Sequence, residues 1–89
     1  MTDVRKGSFC RSMAGHDKGS YYIIVDTAEG VKVSDGKYKK LANPKNKNIK
    51  HLEIIEYRDE ELDRIIEQNK LRDENIKYSI KKYLAHLKN

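Results

Sequence analysis

A chain of 89 residues with a formal charge of +5 and a pI near 9.3 is one small domain, able to withdraw only about 60 to 65% of its unfolded surface from water. Charged residues make up 37%, as many as the hydrophobic ones, so much of the chain is solvated or faces a polar interface, and the excess of cations points to a polyanion or an acidic surface as partner. The single cysteine excludes an internal disulfide, and the longest apolar run, Tyr21 to Val25, excludes a membrane span.

The expected compartment is the reducing cytoplasm, with no membrane partner, since the opening "MTDVRKGS" has no hydrophobic leader. Short β-branched and aromatic runs predict strands from Ser8 to Ser12, Ser20 to Thr27, Gly30 to Ser34, Lys37 to Leu41 and Ile49 to Ile55. Between the first two lies "AGHDKGS", where Gly15 and Gly19 permit positive backbone torsions, Asp17 is expected to bond its own backbone in a turn, and His16 and Lys18 project outward. A looser hairpin is expected at Ala28 to Gly30. Asp35-Gly36 predicts a type I′ hairpin, and "NPKN" around Pro44 predicts a loop. Five such strands in so short a span suggest a small closed barrel over residues 1–56, because closure removes exposed strand edges.

Residues 57–89 change period. Leu62, Ile65 and Ile66 follow an acid-rich start with Asp59 as its cap; Ile76, Ile80, Tyr83, Leu84 and Leu87 form a second stripe with Asp73 as its cap. Two amphipathic helices joined near "KLRD" are each too short to persist alone in water. The run from Tyr21 to Val25 does not alternate, so its strand is expected to be covered on both sides, with the helical extension packed on the barrel as the second cover. The fold class is mainly β with an α extension.

Charge divides at the same boundary. Residues 1–51 carry eleven Lys/Arg against five Asp/Glu, a net +6, whereas residues 52–89 carry eight against nine, a net −1. Within "KYKKLANPKNKNIKH", residues 37–51, six lysines and a histidine stand with no carboxylate. Lysines and asparagines in such a pattern suit phosphate and sugar contacts; the plain alternative is a solvated edge that blunts aggregation. Phosphate-contact candidates are Arg11, Lys18, Lys37, Lys39, Lys40, Lys45, Lys47 and Lys50, with Tyr38, His16 and His51 as candidates for base or sugar contacts. The competing role for Tyr38 is half-buried packing, and Tyr21 and Tyr22 are expected in the core or against the helices.

Catalytic readings are weak. Cys10 beside Phe9 reads as a buried strand residue with no orienting third group, so a thiol hydrolase using Cys10 and His16 ranks far behind. Cys10, His16, His51 and His86 lack metal-ligand spacing, and there is no phosphate-loop or dinucleotide fingerprint. Neither a metal, a cofactor nor a small-molecule substrate is expected.

The stretches "GSFCRSMAGHDKGSYYIIV", residues 7–25, and "VKVSDGKYKKLANPKNKNIKHLEII", residues 31–55, resemble the small bacterial KOW-domain RNA-binding proteins, relatives of KOW-containing large-subunit ribosomal proteins. The likeness spans roughly residues 4–55 and rests on the Gly15-x-Asp17-Lys18-Gly19 loop, the Asp35-Gly36 turn and the Pro44-Lys45 to Lys50-His51-Leu52 ending. It implies an SH3-like barrel that binds ribosomal or other structured RNA. By position it implicates Lys18 in the loop and Lys45, Lys47, Lys50 and His51 in the ending. His16 stands where the family commonly has arginine, and Asn46 and Asn48 interrupt an ending that is otherwise nearly all lysine. Both departures lower the positive charge and imply weaker or more pH-dependent binding. Because KOW barrels also dock on proteins, a module that binds RNA polymerase or translation components is the alternative.

Overall fold

A computed structural model of the chain describes residues 4–88. The opening of the supposed leader-free stretch, residues 1–3, lies outside them. Five strands form one antiparallel sheet: β1 (Phe9–Ser12), β2 (Tyr21–Asp26), β3 (Val31–Ser34), β4 (Lys45–Lys47) and β5 (Leu52–Ile55), in the spatial order β4-β3-β2-β1-β5. A 3₁₀ turn over Ile49–His51 joins β4 to β5, and two helices follow, α1 (Glu60–Glu67) and α2 (Asp73–Leu87). The architecture is a small half-barrel with a helical extension. Among the described residues no helix is long and apolar enough to cross a membrane.

The sheet is apolar on both faces, and strand alternation explains how. Phe9 pairs with Ile23 and Cys10 with Tyr22 across β1 and β2, so neighbouring residues on each strand enter opposite cores. Cys10, Tyr22, Ile24, Val33 and Leu52 fill the concave side of the half-barrel. Phe9 and Ile23 point the other way and pack with Leu62, Ile76 and Tyr83 of the helices. The uninterrupted run in β2 is thus covered twice, as its lack of alternation predicts. Rings fasten the second layer: Phe9 lies 5.0 Å from Tyr57 in an edge-on contact, and Tyr83 lies 4.9 Å from Tyr57 and 5.7 Å from Tyr21, pairings that add to the area they bury.

Asp59 caps α1, its carboxylate accepting from the Glu61 and Leu62 amides at 3.1 and 3.3 Å. The same side chain, only 6% exposed, also accepts from Ser79 Oγ at 2.8 Å and from Lys82 Nζ at 2.9 Å. The cap therefore also ties α1 to α2. α1 ends in a Schellman motif: Asn69 takes φ 57°, and the Asn69 and Lys70 amides donate to the Ile66 and Ile65 carbonyls.

Four local expectations are corrected. Asp73 does not cap α2; it is the first helical residue, and its carboxylate accepts from the Leu41 amide at 2.8 Å. Residues 37–41 do not form a strand, because Asp35 Oδ1 accepts from the consecutive amides of Lys37, Tyr38 and Lys39 at 2.8 to 2.9 Å and so occupies the donors a ladder would need. Nor is Asp35-Gly36 a type I′ hairpin, which requires positive φ at both central residues; Gly36 has φ 73° but Asp35 is not in that region. The fourth strand instead begins directly after Pro44, inside the expected loop.

Gly36 is also confined by its neighbours. A Cβ there would collide with the Asp73 carbonyl oxygen and approach the Lys77 amide nitrogen to 3.0 Å, so the loop after β3 rests directly on the first turn of α2.

Candidate functional site

The loop between β1 and β2 is organised around one carboxylate. Asp17 does not bond its own backbone as expected; it turns inward, where Oδ1 accepts from Lys47 Nζ and lies beside Ser12 Oγ, both at 2.9 Å. Its Oδ2 accepts from Tyr22 Oη at 2.7 Å and from Lys45 Nζ at 3.2 Å. Burial opposes ionisation, but hydrogen bonds from Lys47, Tyr22, Ser12 and Lys45 outweigh it and hold the Asp17 carboxyl well below the usual carboxylate range. Burial and the bond to Asp17 push the Tyr22 phenol up.

This knot supplies what the backbone does not. β4 and β5 are the two ends of the sheet and do not pair, so the expected full closure is absent. Instead, Lys47 reaches from β4 to Asp17, Ser12 Oγ at 2.9 Å and Ala14 O at 3.3 Å, crossing the open side to the end of β1. Met13 N donates to His51 O at 2.8 Å, binding the 3₁₀ turn to the same loop.

The candidate cations consequently fall into two sets. Lys47, with a side chain 8% exposed, and Lys45, at 33%, are engaged in the Asp17 knot, which leaves the Lys47 ammonium group little surface to offer a phosphate. The knot's signal was the strand spacing of Lys45 and Lys47, which puts both on one face, with Asp17 the one acid between Asp3 and Asp26. Arg11 lies 3.5 Å from Glu53 in a half-exposed pair. By contrast, Lys18, Lys37, Lys39, Lys40 and Lys50 enter no ion pair among the described residues. His16 and His51 are exposed on the loop and the 3₁₀ turn. Tyr38, for which half-buried packing is the stronger expectation, is instead 77% exposed, with Lys37 Nζ 5.0 Å from its ring centroid.

Three of these groups, Lys18, Lys37 and Tyr38, line two depressions near the start of β2. A shallow one is lined by Arg11, Ser12, Met13, Lys18 and Gly19, with the 3₁₀ turn beside it through the Met13–His51 bond. The larger one opens between the loop after β3 and α2 and includes Ser20, Tyr21, Lys37 and Tyr38. Three acids of the helical half are engaged elsewhere: Asp59 holds Lys82, Asp63 lies beside Arg58, and Asp73 is bonded to the Leu41 amide.

Cys10 offers no nucleophile. It is fully buried, its thiol donates to Tyr22 O at 3.6 Å, and burial, only partly countered by Lys47, pushes its pKa up to about 12, so the reactive thiolate is suppressed.

No protein-family model matches the chain, and no curated protein matches it either.

Proposed function

We propose that the chain is a non-enzymatic RNA-binding protein of the KOW kind, acting in the cytoplasm on structured RNA, with ribosomal RNA and the ribosome as its partners. One observation carries this reading. Five lysines from three loops of the amino-terminal half enter no ion pair among the described residues, while three acids of the helical half, Asp59, Asp63 and Asp73, are engaged with Lys82, Arg58 and a backbone amide. Ammonium groups without an ion pair, two of them (Lys18 and Lys37) lining depressions, suit phosphate contacts, which supply affinity and orientation without reading sequence. The sequence likeness to KOW proteins over residues 4–55 supports the same reading, and the strand order is compatible with an SH3-like barrel.

The roles divide accordingly. Lys18, Lys37, Lys39, Lys40 and Lys50 contact phosphates, Arg11 contributes in competition with Glu53, and His16, His51 and Tyr38 reach sugars or bases. Lys45 and Lys47 shape the loop that presents Lys18.

Filter binding of ribosomal RNA at several salt concentrations tests the proposal. With five phosphates neutralised, affinity falls by roughly 10² to 10³ between 50 and 200 mM salt. Little RNA affinity and a flat salt response would identify a protein-docking barrel instead.

A further inference from the structure

The larger depression, a cleft of about 590 Å³, joins a cationic rim to two features that phosphate binding alone does not require. Its volume lies within the range of about 300 to 1,000 Å³ typical of sites that enclose a small organic group. The floor is apolar and aromatic, made by Ile80 and Leu84 of α2 and by Tyr21 of β2. The rim is cationic: Lys37 stands on the loop side, and Lys77, Lys81 and Lys88 stand along α2, all four exposed and without an ion pair among the described residues.

Only one acid, Asp35, lines the cleft, and one of its carboxylate oxygens already accepts from three backbone amides. Lys82, next in sequence to Lys81, takes no part because Asp59 holds it. The aromatic element at the mouth is Tyr38. The fold has left this large ring 77% exposed beside an ammonium group, although the loop backbone that carries it is fixed by Asp35 and by the seat of Gly36 on α2.

Resting on the RNA-binding reading, we infer that this cleft is a subsite for unpaired nucleotides, taking an extruded base between Tyr38 and the apolar face of α2 while Lys37, Lys77, Lys81 and Lys88 hold the flanking phosphates. A base supplies the flat apolar surface that the floor and Tyr38 match, and the adjoining phosphates supply the negative charge that the rim lacks. A duplex keeps its bases stacked inside and cannot fill such a cleft. The helical extension thereby becomes part of the RNA surface, and the site distinguishes single-stranded segments from uninterrupted helix.

The test uses the full chain and fluorescence anisotropy with three probes: a 12-nucleotide single-stranded RNA, a blunt RNA duplex, and an acidic amphipathic peptide. Tyr38→Ala is expected to weaken single-strand binding by about 30-fold, the middle of the range for loss of one stacked base, and to weaken duplex binding far less. The pair Lys77→Glu with Lys81→Glu is expected to weaken single-strand binding further and to flatten its salt dependence. Lys18→Glu, outside the cleft, is expected to weaken both RNA probes, and thermal melting of every variant verifies the fold. If the wild-type chain binds RNA but the cleft variants bind the single strand as well as it does, the cleft is not a nucleotide site and the general RNA reading survives. If neither RNA probe binds, the RNA reading falls and this inference with it; binding of the peptide in place of RNA overturns both.

Discussion

Lys47 and Lys37 belong to the same lysine-rich, carboxylate-free segment, yet the fold gives them opposite fates. Lys47 lies in a strand that returns toward β1, and its ammonium group is buried against Asp17, Ser12 and Ala14. Lys37 lies in a loop held away from the sheet by Asp35, and its ammonium group rests near the exposed Tyr38 ring. Composition alone therefore misleads about which cations are available: one lysine holds the open barrel together, and the other is free to meet a partner.

The largest loss of stability is expected at Asp17. Asp17→Ala leaves Lys47 buried without its counter-ion and is expected to destabilise the fold by about 3 to 5 kcal/mol, as breaking a buried ion pair does, which is close to the whole stability of a small domain. Urea denaturation measures the loss. Adding Lys47→Met to Asp17→Ala removes the orphaned charge and should recover part of it.

Acid attacks the same knot more gradually. Asp17 and Asp59 are both held below the ordinary carboxyl value of 3.8 in the folded chain, so unfolding in acid takes up protons. Their contribution is complete above that value and is lost as pH falls below it toward the depressed folded values. A series of denaturation curves across acid pH should show this decline, and Asp17→Asn should flatten it while lowering stability at neutral pH.

On the loop side, Gly36→Ala forces a positive φ on an L residue and a collision with the Asp73 carbonyl. A cost of about 1 to 3 kcal/mol is expected, read by thermal melting, together with weaker RNA binding as the loop lifts from α2. Smallest in stability are the charge reversals Lys37→Glu and Lys40→Glu. Each is expected to alter stability by less than about 0.5 kcal/mol while weakening RNA binding measurably by anisotropy. A large loss of stability in either would erase the distinction between the two sets of lysines.

Much of this organisation is legible in the residues. The apolar, non-alternating run of β2 announces two covers, Asp59 announces the start of α1, and the stripe from Ile76 to Leu84 announces the face of α2. Three features escape, each for its own reason. Asp35 captures three amides and turns an apparent strand into a loop. Pro44 signals a break, but the chain resumes pairing at the next residue, where Lys45 aligns with Val33. Asp17 looks like a turn residue because its partners on β4 are distant in sequence. For the candidate site, the cations of the first half are evident from charge counting alone, whereas the lysines at 77, 81 and 88 contribute only once α2 is seen lying beside the loop after β3.

The two-sided sheet also ties its outer wall to the end of the chain. Phe9 and Ile23 are shielded by Ile76 and Tyr83, which lie more than fifty residues later in the chain, so a half-barrel deprived of α2 would carry a sticky outer wall. A released chain cut between β5 and α2 is expected to aggregate or be held by chaperones, the vulnerability that follows from hanging the second core on the carboxyl-terminal helices.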